Sequence, residues 1–262
     1  MSTPSFSTTP NTLKVMTLNI AHGRAENFHQ IFVSKEGIRK NLTRISNVVS
    51  QYDTDILALQ EIDGSSIWSG TFDHSAHIAE QTHLKHHVRG SHVKTSRLDY
   101  GTSVMSRLPI VAKGSHTFHP APLLPHKGFV WADIDHPSVP QGLRVISLHL
   151  DFALKGIRKK QLDELVTHLK EGDRLLIIMG DFNMRWTPNL QEFCAKLDLH
   201  TYQPDLLFVT FPKTKSRLDW ILVSKELKLI NHKVLYDKLS DHRAVVAQIQ
   251  LPELLSPPIE ND

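Results

Sequence analysis

Cys194 is the only cysteine in this 262-residue chain, so no internal disulfide can form. Its neighbours Phe193, Ala195 and Leu197 mark it as a buried structural thiol rather than a reactive one. Long apolar runs are missing too: none approaches the ~18 residues of a membrane span. The first twelve residues are rich in Ser, Thr and Pro, without a positively charged start or an apolar stretch, and do not read as a secretory leader. A soluble cytoplasmic protein is therefore expected. An excess of one charge is also lacking. Thirty Lys and Arg face 27 Asp and Glu, a net charge of +3, with a pI near 8.9. A strongly basic nucleic-acid binder would show more, and this balance permits phosphate-bearing substrates without requiring them.

What is present suits a folded domain. The chain is 40% hydrophobic and 22% charged, ample for a sizeable core. With no repeat and no internal linker, one domain is expected over 13–251, between flexible tails at 1–12 and 252–262. A first strand is expected over Leu13–Ile20, ending near Asn19, and an amphipathic helix over Glu36–Tyr52. A buried strand over Asp55–Gln60 carries Glu61 at its end, and a helix over Asp73–Leu84 has Asp73 as N-cap. Strands are then expected at His86–Lys94, Gly101–Ser106, Ile110–Phe118, Gly128–Asp135 and Leu143–Leu150, punctuated by Pro109, Pro137 and Pro140. Helical spacing returns at Ile157–Leu169 and at Pro188–Leu197. Strands near Arg217–Ser224, Leu229–Tyr236 and Ala244–Leu251 close the chain. Many short strands with few helices predict two packed sheets with helices outside. A doubly wound sheet fits less well, because 86–150 is a run of strands without a helix.

The centre of this pattern is Leu175–Asn183. Five apolar residues, Leu175 to Met179, predict a strand buried on both faces. Gly180 is expected to end it, and Asp181, Phe182 and Asn183 follow. Asp and Asn there also suit a simple Asx-turn. Other strands behave alike: Asn19 ends the first and Glu61 the second, and His149 lies in Ser-Leu-His-Leu-Asp. Asp219 interrupts an apolar run, where a carboxylate needs a partner, and Asp241 and His242 precede the last strand. Asn19, Glu61 and Asp241 offer the oxygen ligands that Mg²⁺ takes. His149 and His242 can hold or deliver protons near neutral pH, and Asp219 can orient one of them. Taken singly, each is as well explained as a cap, a turn residue or a surface acid.

Together these residues fall in seven motifs: Thr17-Leu-Asn-Ile20, Leu59-Gln-Glu-Ile-Asp63, Tyr100-Gly-Thr-Ser-Val-Met-Ser-Arg-Leu-Pro-Ile110, Ser147-Leu-His-Leu150, Gly180-Asp-Phe-Asn183, Arg217-Leu-Asp-Trp220 and Ser240-Asp-His242. In this order they resemble the endonuclease/exonuclease/phosphatase superfamily, from about Leu13 to Leu251. The resemblance implies the deoxyribonuclease-I-like fold, an α/β four-layer α/β/β/α sandwich of two mixed, mainly antiparallel sheets, with the site at one sheet edge. It implies that Asn19 and Glu61 hold Mg²⁺ (Mn²⁺ as a substitute), with Asp241 contributing. Asp181 would activate or orient the attacking water, and Asn183 would position the phosphate. His242, paired to Asp219, would stabilise the transition state or act as base. His149 would contact phosphate or act as acid at the leaving oxygen. No position departs from the family pattern, which points to an active enzyme.

Substrate is less legible, since the superfamily cleaves DNA, RNA, phospholipids and small phosphoesters. Repair endonucleases carry a Tyr motif where this chain has Ser-Leu-His-Leu. The His version resembles the deoxyribonuclease, sphingomyelinase and general hydrolase branches, and Ile62–Asp73 resembles a loop of small bacterial hydrolases. Residues 81–98 carry Lys85, Arg89, Lys94, Arg97, four histidines and no acid, a phosphate track or, more simply, a solvated strand pair. Trp68 and Phe72 can stack on a base, enter a lipid interface or fold back as a hydrophobic cluster. The expectation is a monomeric Mg²⁺-dependent phosphodiesterase for a nucleic acid, phospholipid or small diester. The alternatives are a phosphomonoesterase and a non-catalytic phosphate-binding module.

Overall fold

The computed structural model describes residues 11–27, 29, 32–119, 124–170 and 172–253. Among these residues twelve strands form two six-stranded sheets. The first runs β11-β12-β1-β2-β4-β3, built from Lys228–Val234, Val245–Gln250, Thr12–Asn19, Ile56–Asp63, Asp99–Ser106 and His86–Lys94. The second runs β5-β6-β7-β8-β10-β9, built from Ile110–Thr117, Gly128–His136, Val139–His149, Leu175–Asp181, Asp219–Ser224 and Leu199–Thr201. Among the described strands only β1/β2 and β7/β8 pair in parallel. A parallel pair needs a crossover, and each has a helix in it: α1 (Lys35–Gln51) and α3 (Lys155–Leu169). The sheets are therefore mixed and mainly antiparallel, as expected.

The two sheets pack face to face over an apolar layer that includes Val15, Ala58, Val145, Ile177 and Ile221. Outside the first sheet, α1 and α2 (His74–Gln81) close a second core through Ile38, Leu42, Ile45 and Ile78. Outside the second, α3 and α4 (Pro188–Lys196) close a third through Leu162, Leu165, Leu190 and Phe193. The result is α/β/β/α. Each strand next to a helix is covered on both faces, which is why β2 and β8 are almost unbroken apolar runs. Among the described residues no helix is long and apolar enough to cross a membrane.

Several boundaries differ from the sequence expectation for physical reasons. The second helix ends at Gln81 instead of reaching Leu84, because the Thr82 hydroxyl bonds the Ile78 carbonyl and accepts from the Leu84 amide. Pro140 does not break β7. It lies before Leu143, where pairing with β8 begins, so its missing N–H costs no bond to that strand. Gly180 does not end β8 but continues it to Asp181. With φ at +148°, a Cβ there would run into the Leu148 carbonyl. The three-residue β9 was too short to show as a pattern. At the termini, Thr12 already belongs to β1, and Asn11 donates to the Leu251 and Pro252 carbonyls. The tail segments 1–10 and 254–262 lie outside the described residues.

Candidate active site

Sheet register assembles the site. Gly128, His149, Asp181 and Asp219 are cross-strand neighbours in one row over β6, β7, β8 and β10. In the first sheet Asn19 stands opposite Gln60, beside Glu61. The two rows meet where the Asn19 amide donates to Asp181 Oδ2 at 3.1 Å. Four strands stop at one edge here, and their apolar stretches place the polar residues that follow them in a common cleft.

Two residues adopt left-handed backbone to do so. Glu61 (φ 50°) sits at an irregularity between β2 and β4, where the register shifts between Gln60 and Ile62. The strand thus continues past Glu61 to Asp63, and the bulge turns the carboxylate toward the cleft. Asn183 (φ 49°) closes a turn in which its own amide N–H donates to Asp181 Oδ1 at 2.9 Å. Its side chain donates to the Leu150 carbonyl at 2.9 Å and to Asp181 Oδ2 at 3.3 Å.

The cleft has a volume of about 550 Å³. It is lined by seven of the eight residues expected from the sequence, namely Asn19, Glu61, His149, Asp181, Asn183, Asp241 and His242. Asp219 lies behind it, fully buried, with Oδ2 2.9 Å from His242 Nδ1. Its other oxygen, Oδ1, has no hydrogen-bond partner among the described residues. His242 Nε2 is 3.7 Å and His149 Nε2 is 3.5 Å from Asp181 Oδ2. Burial works against a charged His242, but Asp219 and then Asp181 outweigh it and hold the imidazole up at about 10. Asp181 is pushed the other way, to about 6, by burial and by Asp219, against the pull of His242. His149 sits well below the usual histidine range, through burial and then the Lys127 ammonium.

Sequence reasoning missed several residues of the cleft. Lys127 Nζ lies 3.6 Å from Glu61 Oε1 and 3.1 Å from His149 Nε2. Arg24 and Lys213 hold Asp241 Oδ2 at 2.8 and 2.9 Å. Burial would raise the Asp241 carboxyl, and these two cations instead hold it down at about 2. Phe211 packs on the His242 ring at 4.6 Å. Behind Glu61, His22 bridges to Asp63 at 2.7 Å. No linear pattern marks these residues. Lys127 was visible only as the residue before a strand, and its relation to His149 comes from the Gly128–His149 pairing.

The donor set suits a hard divalent cation at Glu61 and Asn19. The Glu61 carboxylate makes no hydrogen bond among the described residues, and its nearest cations are His22 at 3.5 Å and Lys127 at 3.6 Å. Burial would raise its pKa, yet His22 and Lys127 keep it low and ionised. Asn19 Oδ1 accepts one bond, from the Ala21 amide, which leaves a lone pair for a ligand. Asp181, Asp219 and His242 also cluster closely enough to hold an ion, but His242 Nδ1 is taken by Asp219.

Two of the four cations in the basic stretch at 81–98 are engaged within the fold, while Lys94 and Arg97 are exposed. Arg89 pairs with Asp99 at 2.8 Å, and Lys85 donates to the Ala79 carbonyl. His92 is buried and driven down to about 3 by that burial and by Lys127. Trp68 folds back, donating to Asp63 at 2.9 Å and packing on Tyr100, and Phe72 lies under Arg39.

A sequence model described as the Endonuclease/Exonuclease/phosphatase family matches residues 16–242. Among curated proteins none matches this chain. Solved structures share the fold at low identity. An endonuclease/exonuclease/phosphatase from Beutenbergia cavernae is 20% identical with a TM-score of 0.71, covering 92% of this chain and 72% of that one. A mannosyl-6-phosphatase from Bacteroides thetaiotaomicron is 18% identical with a TM-score of 0.68, covering 90% and 99%. The beta toxin of Staphylococcus aureus is 17% identical with a TM-score of 0.63, covering 90% and 99%.

Proposed function

The chain belongs to the endonuclease/exonuclease/phosphatase family, and from that membership we propose that it is a Mg²⁺-dependent phosphodiesterase acting by direct attack of water. The observation that carries this reading is His242 between Asp219 and Asp181, facing a cleft in which Glu61 and Asn19 present ligand oxygens. No serine or cysteine lines the cleft among the described residues, and the hydroxyl of Thr214, which does, donates to Ser216, in keeping with water as the nucleophile.

Glu61 and Asn19 would hold Mg²⁺, with Asp241 adjoining, and the ion, when bound, supplies charge neutralisation at the phosphate and the leaving oxygen. The remaining roles follow from the side chains. Asp181, fixed by Asn19 and Asn183, orients the attacking water and accepts its proton. His242, protonated at neutral pH, is a donor to the phosphoryl oxygens rather than a base. His149, neutral at the same pH, supports phosphate binding rather than proton delivery, and Lys127 beside it contributes the charge.

A diester is favoured over a monoester by a second space beside the cleft. Beyond Asn183 and Leu218, which line both spaces, the cleft adjoins a second cavity of about 490 Å³ carrying Lys155, Arg158 and Arg185. A diester has two alcohol groups to house and a monoester one. The monoester reading has its support in the likeness to the Bacteroides mannosyl-6-phosphatase.

Hydrolysis of bis-(p-nitrophenyl) phosphate and of p-nitrophenyl phosphate, with Mg²⁺, with Mn²⁺ and with chelator, separates the two. Metal-dependent release from the diester, lost in Glu61→Ala, is expected. Preference for the monoester would move the assignment to a phosphatase.

A further inference from the structure

Apart from the cleft, a second convergence of ligand-type side chains lies on the outside of the second sheet. His116 belongs to the edge strand β5, and His119 follows two residues beyond its end. Glu164 and His168 are one turn apart on α3, where an i,i+4 pair shares a face. Phe118, between the two β5-side histidines, is buried in the core that α3 closes and fixes this end of the strand against the helix. His116 Nε2 is 2.5 Å and His119 Nδ1 3.1 Å from Glu164 Oε1, and the His116 and His168 rings are 4.0 Å apart. One ligand atom from each of His116, Glu164 and His168 lies within 4.8 Å of the other two.

A simple ion pair accounts for only part of this. One histidine satisfies one carboxylate oxygen, and exposed pairs of this type contribute little stability. It gives no reason for a third imidazole against His116. Tetrahedral zinc does: bonds of ~2.0–2.1 Å put ligand atoms ~3.3 Å apart, a spacing that the His116, Glu164 and His168 ligand atoms, within 4.8 Å of one another, reach by small side-chain shifts, and His119 joins them through Glu164 Oε1 at 3.1 Å. The elements also supply the ligands in two short pairs, His-x2-His and Glu-x3-His, from neighbouring parts of the fold.

We propose that His116, His119, Glu164 and His168 form a zinc-class metal site, separate from the catalytic cleft, that ties the edge strand β5 to α3. Three imidazoles and one carboxylate suit Zn²⁺ or Co²⁺, whereas Mg²⁺ takes oxygen donors. Binding requires neutral imidazoles. Burial and the neighbouring His116 keep His168 below the usual histidine range.

The test uses the full chain, stripped with chelator and returned to excess Mg²⁺, then titrated with Co²⁺ while the visible d–d absorption is followed. The expected result is an intense tetrahedral-type band that saturates at one equivalent, is displaced by Zn²⁺ and persists in Glu61→Gln. His168→Ala and His119→Ala should each weaken Co²⁺ binding by at least ~10-fold, the scale seen even for groups that only orient ligands. Both side chains are exposed, and His119→Ala serves as the variant clear of the core, since His168 also meets the buried Phe129 ring at 5.7 Å. No intense band in the unaltered chain, unchanged affinity in either histidine variant, or a band lost in Glu61→Gln would overturn the proposal. None of these readouts depends on phosphoesterase activity.

Discussion

The Nδ1 atom of His242 stands 2.9 Å from Asp219 Oδ2, and the other oxygen of that carboxylate has no hydrogen-bond partner among the described residues. The buried charge of Asp219 is thus directed at one imidazole. An unpaired buried carboxylate is costly, so the protonated form of His242 is its compensation. Replacing Asp219 by Asn keeps the shape and removes the charge. Asp219→Asn should lower the His242 pKa, read by imidazole NMR, and reduce turnover by ~10²- to 10³-fold, the range for a lost donor to transition-state charge. An unshifted His242 with full activity would refute the pairing.

The same residue makes a prediction about stability and pH. Burial disfavours the His242 cation, but Asp219 and Asp181 outweigh it and keep the proton bound up to about 10. The unfolded chain releases that proton near ~6.5. Between the two values the folded state holds more protons, so stability falls as pH rises. Asp181, raised to about 6, acts in the same direction at lower pH, between its unfolded value and about 6. The urea midpoint should therefore decline from neutral pH to pH ~10, and decline less steeply in His242→Gln. Parallel curves for the two proteins would show that His242 carries no such linkage.

Much of this was legible in the sequence because four apolar runs, those of β1, β2, β7 and β8, become strands that end at the same sheet edge. Asn19, Glu61, His149 and Asp181 mark the ends of those runs, so their positions along the chain already implied a shared location, and Asp219 joins them as the first residue of β10, paired with Asp181. Lys127 and Arg24 carried no such mark. They reach the cleft from loops, and only the pairing of Gly128 with His149 and the reach of Arg24 to Asp241 reveal them. The bulge at Glu61 was hidden for a related reason: it is a register shift against β4, a property of two strands together. His116 and Glu164, 48 residues apart, meet only through the packing of α3 on the second sheet.

Lys127 offers a separate check on the electrostatics. Burial is the main cause of the lowered His149 pKa, and Lys127 is the next. Lys127→Met should raise the His149 pKa without restoring it fully. It should also raise that of Glu61, whose charged form Lys127 favours. Turnover should fall, since the cleft loses a cation from the phosphate position. Imidazole NMR across a pH series reads the first effect directly, and an unmoved His149 resonance would contradict it.

The central claim is that Asp181 works on the attacking water, while Glu61 and Asn19 hold the metal. Diester turnover and Mg²⁺ affinity measured on the same preparation of Asp181→Asn test it most directly. The account predicts a loss of turnover of ~10²-fold or more, with Mg²⁺ affinity within a few-fold of the unaltered chain. Retained turnover would contradict it, and so would a loss of Mg²⁺ affinity as large as that of Glu61→Gln.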